Sequence, residues 1–250
     1  MKMWRLAPVI VALLVLPRPA AAQEWIEYSS TQDRFSVNFP SQPTIREFTY
    51  TSWRDVKLPA REHFVQRGAE RYSVTMVDYN LAEKMHAERV KTCSNFPQNL
   101  CAGNDSVAQG VGAWKYDVEA APDKGAEDIL KRGSKVTYFA WATIDRIVGR
   151  QIHLTNPDGS RTFVQIHMLM NRLYIIEATV PARAPEPGLF QQSPRFLDAE
   201  GRGVRYPDNY IDMYGLPLHS RQLEGNPGGG RGGGRGAQPN GQGGPGQGQQ

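Results

Sequence analysis

The chain has 250 residues, 40% of them hydrophobic and 22% charged, with a formal net charge of +4. It is too apolar and too aromatic for wholesale disorder, and after one short apolar run near the start nothing is long enough to cross a bilayer, which excludes a multi-span membrane protein. Two cysteines exclude a disulfide-framework miniprotein and a four-cysteine zinc site.

Residues 1–22 read as a secretory signal. Lys2 and Arg5 form a basic start, Leu6 to Leu16 an apolar core interrupted by Pro8, and Ala20-Ala21-Ala22 the small residues a signal peptidase needs. Cleavage is expected between Ala22 and Gln23, with a periplasmic or secreted product that keeps no membrane span. At the other end, residues 226–250 hold 12 Gly, 5 Gln and 3 Pro and no aliphatic residue larger than Ala. Such a segment buries too little apolar area to offset its ordering entropy, so a disordered tail is expected. Without the signal the net charge is +1, and without Arg231 and Arg235 of the tail it is −1. The basic excess therefore belongs to the ends. Residues 23–225, read as a single domain, lack an electrostatic footprint for nucleic acid.

Within that body, Phe35, Val37 and Phe39 alternate with Ser36 and Asn38, the pattern of a half-buried strand. Thr44 to Trp53 follows as a second strand. Arg61 to Val65 and Tyr72 to Tyr79 form a pair turned at Arg67-Gly68-Ala69-Glu70. Asn80 and Glu83 suit a capping box for a helix from Leu81 to Thr92. A second helix is expected over Asp123 to Arg132, with Ile129 and Leu130 inward and Gly133 as its stop. The stretch 102–120 reads either as a helix or as an irregular cover.

The C-terminal strands are clearer. Val136 to Ile144 and Gly149 to Thr155 are followed by Asn156-Pro157-Asp158-Gly159, which suits a type I turn with a bulge. Arg161 to Leu169 and Leu173 to Val180 complete a meander at the centre of an antiparallel sheet. The alternation suggests helices on one face and water on the other. Ser193-Pro194 suits the start of a short helix over 194–199 that carries Phe196 and Leu197.

Cys93 and Cys101, in the segment KTCSNFPQNLCAG, are expected to form a structural disulfide in an exported chain; their spacing is wrong for a redox C-x-x-C. The five histidines, His63, His86, His153, His167 and His219, match no metal-ligand spacing. On the expected strands, His153 stands opposite about Thr162 and His167 faces Ile175 to Glu177, so a metal shared by His167 and Glu177 is one candidate, beside a plain solvated strand face. There is no GxSxG elbow, Gly133-Ser134 and Gly159-Ser160 are turn positions, and Gly110-Val111-Gly112 is a lone GxG. Trp53, Trp114, Trp141 and the tyrosines read as core packing or as the lining of a ligand groove. Tyr206, Tyr210, Ile211, Met213, Tyr214 and Leu216 read as a segment packed on the body or as a docking motif.

The segments DRFSVNFPSQP (33–43), YSVTMVDY (72–79), GRQIHLTNPDGSR (149–161), RLYIIEATVP (172–181) and RFLD (195–198) resemble a group of small exported bacterial proteins, the PsbP-like α/β/α sandwich family, a fold shared with the nuclear Ran-release factor. The similarity spans about 28–200. It implies an α+β fold, an antiparallel β-sheet covered by helices. It also implies an accessory or assembly role without known catalysis. The cysteine pair and the aromatic segment after 203 stand outside the pattern, and no family metal or partner site maps onto these residues.

The leading expectation is thus an exported accessory or binding domain without catalytic activity or cofactor, for an envelope protein or a small ligand. The alternatives are a metal-dependent or hydrolytic envelope enzyme with a scattered site, and a surface-contact protein acting through its Gly-rich tail.

Overall fold

A computed structural model of the chain describes residues 25–92 and 113–204. The expected signal, Cys93 and Cys101, residues 102–112 and the segment from 205 onward, tail included, lie outside the described residues.

The first strands are β1 (Ile26–Ser30), β2 (Phe35–Phe39), β3 (Thr44–Thr51), β4 (Lys57–Arg67) and β5 (Glu70–Asp78). A 3-10 turn (Tyr79–Leu81) leads into α1 (Ala82–Thr92), and α2 (Ala113–Glu119) and α3 (Ala121–Leu130) follow. The second half holds β6 (Lys135–Ile144), β7 (Ile147–Thr155), β8 (Arg161–Leu169), β9 (Arg172–Val180), the single-turn α4 (Gly188–Gln191) and β10 (Arg195–Phe196). The fold is α+β and mostly antiparallel. One sheet has seven strands in the order β3-β4-β5-β9-β8-β7-β6, and a second has three in the order β1-β2-β10.

Strand alternation sorts side chains onto two cores. Leu58, Ala60, Val77, Ile152, Leu154, Val164, Ile166, Met168 and Leu173 face the helices and pack on Ala82, Val118, Ala121, Ala126 and Ile129. Val65, Tyr72, Val74, Met76, Tyr174, Ile176 and Ala178 face the other way, onto Phe35, Val37, Phe39, Phe190 and Phe196. The expectation of one wet face is therefore wrong over the sheet centre. The odd positions of β2 supply a second apolar layer, so Phe163, His167 and Leu169 of β8 are buried too. The meander itself is as expected, with β9 in the middle of the sheet. Its turns hold register through positive φ at Gly159 (82°), and at Met170 and Asn171 (47° and 57°), the signature of a type I′ hairpin.

Three local expectations are corrected. The cap at Tyr79 is Asp78, whose side chain accepts from the Asn80 N–H, and α1 begins only at Ala82, so Asn80 and Glu83 form no capping box. Leu130 lies at the exposed end of α3; Ile129 alone of that pair points inward. Residues 194–199 form no helix. The open edge of β2 captures Arg195 and Phe196 as a strand, and the Ser193 hydroxyl accepts from the Asn38 N–H at 2.8 Å. A strand edge with unpaired backbone groups outweighs the helix-start signal of Ser-Pro.

Candidate functional site

Two polar clusters are buried against the seven-stranded sheet, one on each face. The first is centred on Asp33, in the turn between β1 and β2. Arg61 and His63 alternate along β4, so both point toward that turn. Arg61 Nε donates to the Asp33 carboxylate at 2.9 and 3.0 Å, and Arg61 Nη2 donates as well. His63 Nε2 donates to Asp33 Oδ2 at 2.7 Å. The carboxylate can only accept, so Nε2 carries a proton, and on the other side of the ring Nδ1 lies 3.0 Å from the Tyr28 hydroxyl, within hydrogen-bond distance. The Tyr174 hydroxyl donates to the Asp33 carbonyl at 3.0 Å, and the Asp33 N–H donates to Ser30 Oγ at 3.1 Å. Asp33 and His63 are each 1% exposed. Burial by itself would raise the Asp33 carboxyl, but the hydrogen bonds from His63 and Arg61 and their charges outweigh it and hold it below the usual range.

Tyr28, His63 and Asp33 thus form a hydroxyl–imidazole–carboxylate chain. Chemically it is the order of a nucleophile, its base and the group that orients the base. The Tyr28 hydroxyl, however, is pushed up by burial and by the Asp33 charge, the opposite of what an activated nucleophile needs. The His63 ring is also wedged between Phe35 and Tyr28, with centroids at 5.0 and 5.5 Å.

The second cluster lies under the helices. Asp117 of α2 accepts from Ser52 Oγ at 2.5 Å, from His86 Nε2 at 2.9 Å and from the Arg54 N–H at 3.2 Å. Ser52 Oγ in turn accepts from the Val56 N–H at 3.1 Å. Here the serine donates to the carboxylate and not to the histidine, so the imidazole does not stand as its base. The arrangement closes the β3–β4 loop, which bends at Asp55 with φ 60°, onto α2.

Beside the Asp33 cluster the three-stranded sheet stops short of the β3 edge. It leaves an open groove of about 590 Å³ over β3, β4 and β5. Glu47, Thr49, Lys57, Pro59 and Asp78 line it with Arg61, and the buried Met76 gives it an apolar base. Arg61 thus borders the groove while its Nε and Nη2 hold Asp33. The lining carries both acidic and basic side chains, so the groove presents both donors and acceptors.

The histidine expectations come out differently. His153 stands opposite Phe163, one residue from the expected partner, and stacks between Tyr138 and Phe163 at 4.9 and 4.7 Å. Burial lowers its pKa. His167 stands opposite Tyr174, on the three-stranded-sheet side, whereas Glu177 pairs with Val164 on the helix side and holds Arg132 at 2.7 Å. The two lie on opposite faces of the sheet and cannot share a metal. His167 is buried, its Nδ1 donates to the Ile147 carbonyl at 3.1 Å, and burial drops its pKa to about 4. Across the strand, a Cβ on Gly149 would collide with the His167 ring and the Ile166 carbonyl. Glycine there makes room for the imidazole. Trp114 packs in the helix-side core, while Trp53 and Trp141 are exposed, so the three tryptophans line no common groove. Among the described residues no three His, Cys, Asp or Glu side chains gather to hold a metal, and no helix is long and apolar enough to cross a membrane.

Sequence reasoning missed Asp33, Arg61 and Asp117. For the first two a signal existed: Arg61 and His63 sit at alternate positions of one expected strand, and Asp33 directly precedes another. Comparison with protein-family models, curated proteins and solved structures gave no significant match.

Proposed function

We propose that this chain is an exported accessory domain of PsbP-like plan that binds a partner or small ligand through the groove over β3–β5 and catalyses no reaction of its own. The observation that carries the reading is the groove itself. It is open, of ligand size, and lined by charges of both signs around a buried methionine, with Arg61 held in place from behind by Asp33. The two Asp–His clusters beside and beneath it serve as scaffolding. In one the hydroxyl is shifted upward, the opposite of activation, and in the other the serine is bonded to the carboxylate. The central antiparallel sheet with helices against one face is compatible with the α+β part of that plan, while the other face carries the three-stranded sheet.

The test uses full-length exported protein as bait in envelope extract. Thr49→Trp, which fills the groove from an exposed position, should abolish capture, while a chain cut after Gly225 should retain it. Capture lost with the cut and kept in Thr49→Trp transfers the function to the Gly-rich tail. Turnover of an ester, phosphoester or peptide panel that disappears in His63→Gln or Ser52→Ala overturns the reading in favour of an enzyme.

A further inference from the structure

The seven-stranded sheet has two edges, and they are built differently. β3, one edge, carries Arg46 and Glu47 in its middle, and Arg46 reaches the Glu62 carboxylate on β4 at 2.7 Å. Charges on an edge strand discourage pairing with another chain. β6, the other edge, reads KVTYFAWATI. It has no charge after Lys135 and no proline. No described strand lies beyond it.

Among the described residues the helix layer also stops before β6. Phe139 and Trp141 stand opposite Ile152 and Arg150 of β7, on the helix side, yet they are 54% and 68% exposed. Val136 and Val148, on the same side, are exposed as well. Trp141 lies over the Arg150 guanidinium at 3.6 Å, and Arg150 is held by Asp123 of α3 at 2.8 Å, so the indole is a fixed plate at the rim. On the opposite side Tyr138 is 46% exposed and rests on His153. Among the described residues the edge is therefore apolar on both faces and open along its backbone.

We infer that β6 is a dimerisation edge: two copies of this chain pair antiparallel through β6 about a twofold axis at Ala140, joining their seven-stranded sheets into one. A second copy fits for three reasons. First, the single charge of the strand, Lys135, stands at its first position, so two copies paired about the middle of the strand bring no like charges together. Second, an antiparallel self-pairing keeps backbone donors opposite acceptors only when the axis passes through a residue position. At Ala140 it sets Phe139 of each copy against Trp141 of the other on the helix side, and Tyr138 against Ala142 on the other side, large beside small. An axis at Trp141 would stack two indoles on each other, and one at Phe139 would bring Trp141 onto the bulge between Val136 and Tyr138. Third, the area suffices. With about 150–250 Å² per aromatic side chain, the three rings leave roughly 300–400 Å² open per copy. Both copies, with the valines and the strand backbone, reach the order of 1,000 Å² at which specific interfaces begin.

The test is the mass of the full-length protein in solution by light scattering at micromolar concentration, with an oxidative cross-link to fix the register. A dimer is expected. Trp141→Lys, at an exposed position, should weaken it by about 30-fold or more, the effect of losing an interface anchor. Ala140→Cys should cross-link to its own copy under mild oxidation, because directly paired Cβ atoms lie about 5 Å apart. Ala142→Cys, four residues from its own counterpart, should not, nor should the wild type. A monomeric wild type overturns the inference, whether a foreign strand or the chain's own segment after 204 covers β6 instead. So does a dimer in which Ala140→Cys fails to cross-link. If Trp141→Lys fails to fold, the cross-link still decides, since Ala140→Cys adds no charge.

Discussion

The clusters around Asp33 and Asp117 place the same pair, a carboxylate and an imidazole, against opposite faces of one sheet, and they do different work. Asp33 has a guanidinium countercharge and joins two sheets: its partners come from β1, β4 and, through its carbonyl, β9. Asp117 is served by a hydroxyl, an imidazole and a backbone N–H, and two of the three come from the single loop it closes. The lesson is that a buried carboxylate takes its role from where its donors originate. Donors from distant strands make it a cross-layer tie, and donors from one loop make it a loop cap.

Breaking the cross-layer tie should have the largest effect. Asp33→Ala leaves Arg61 and His63 facing a vacated centre, and the loss of one member of a buried ion pair costs about 3–5 kcal/mol. Urea unfolding should show it, together with weakened amide protection in β1 and β2. Equal loss of protection under the helices would mean that the two faces unfold as one unit.

Acid sharpens the comparison, because the three-stranded-sheet face also buries His167. Its ring takes a proton near pH 6.5 when unfolded and at about 4 when folded. Between those values the unfolded chain binds more protons, so stability falls as pH falls, by up to roughly 3 kcal/mol. His167→Leu should lower stability at pH 7 through the lost bond to Ile147 yet flatten this slope, as read from urea midpoints at pH 7 and pH 4.5. The Asp33 contribution is present above the ordinary carboxyl pKa of 3.8 and is lost only as pH falls further, toward the lowered folded value. A variant slope equal to the wild type's would remove His167 as the source.

Opening the loop cap should cost less. Asp117→Ala is expected to destabilise by about 2 kcal/mol, the scale of hydrogen bonds to a charged group. Exchange should speed up for the amides of Arg54 and Val56 while β1 and β2 stay protected. Smallest of all, Tyr28→Phe removes one partly exposed hydroxyl bond and should cost about 1 kcal/mol. It should leave any activity unchanged, since that hydroxyl is not activated.

The strands were legible where alternation and turn chemistry agreed. FSVNF and the run from Arg161 to Val180 each carry a period of two, and Asn156 to Gly159 carries its own turn residues, so local sterics and patterning dictate the result. The helix starts at 80 and 194 were misread for one reason. Asp78 and the β2 edge were competing partners, and neither is visible from the local motif. The pairing of His153 moved by one position, enough to change what its ring touches, because register is settled by the whole ladder. Asp33 with Arg61 and His63, and Asp117 with Ser52 and His86, were hidden as groups. Their members lie 28 to 65 residues apart, and only the folded chain brings them together.

The amino-acid sequence by itself determined a mostly antiparallel α+β chain with its meander at the sheet centre, because period, turn residues and β-branched content act over a few neighbouring residues. The tertiary structure decided which face each strand buries, which carboxylates find donors, and that the described layers leave the groove and the β6 edge uncovered. Those are outcomes of layers covering one another unevenly, and no short stretch of sequence encodes how far a neighbouring layer extends.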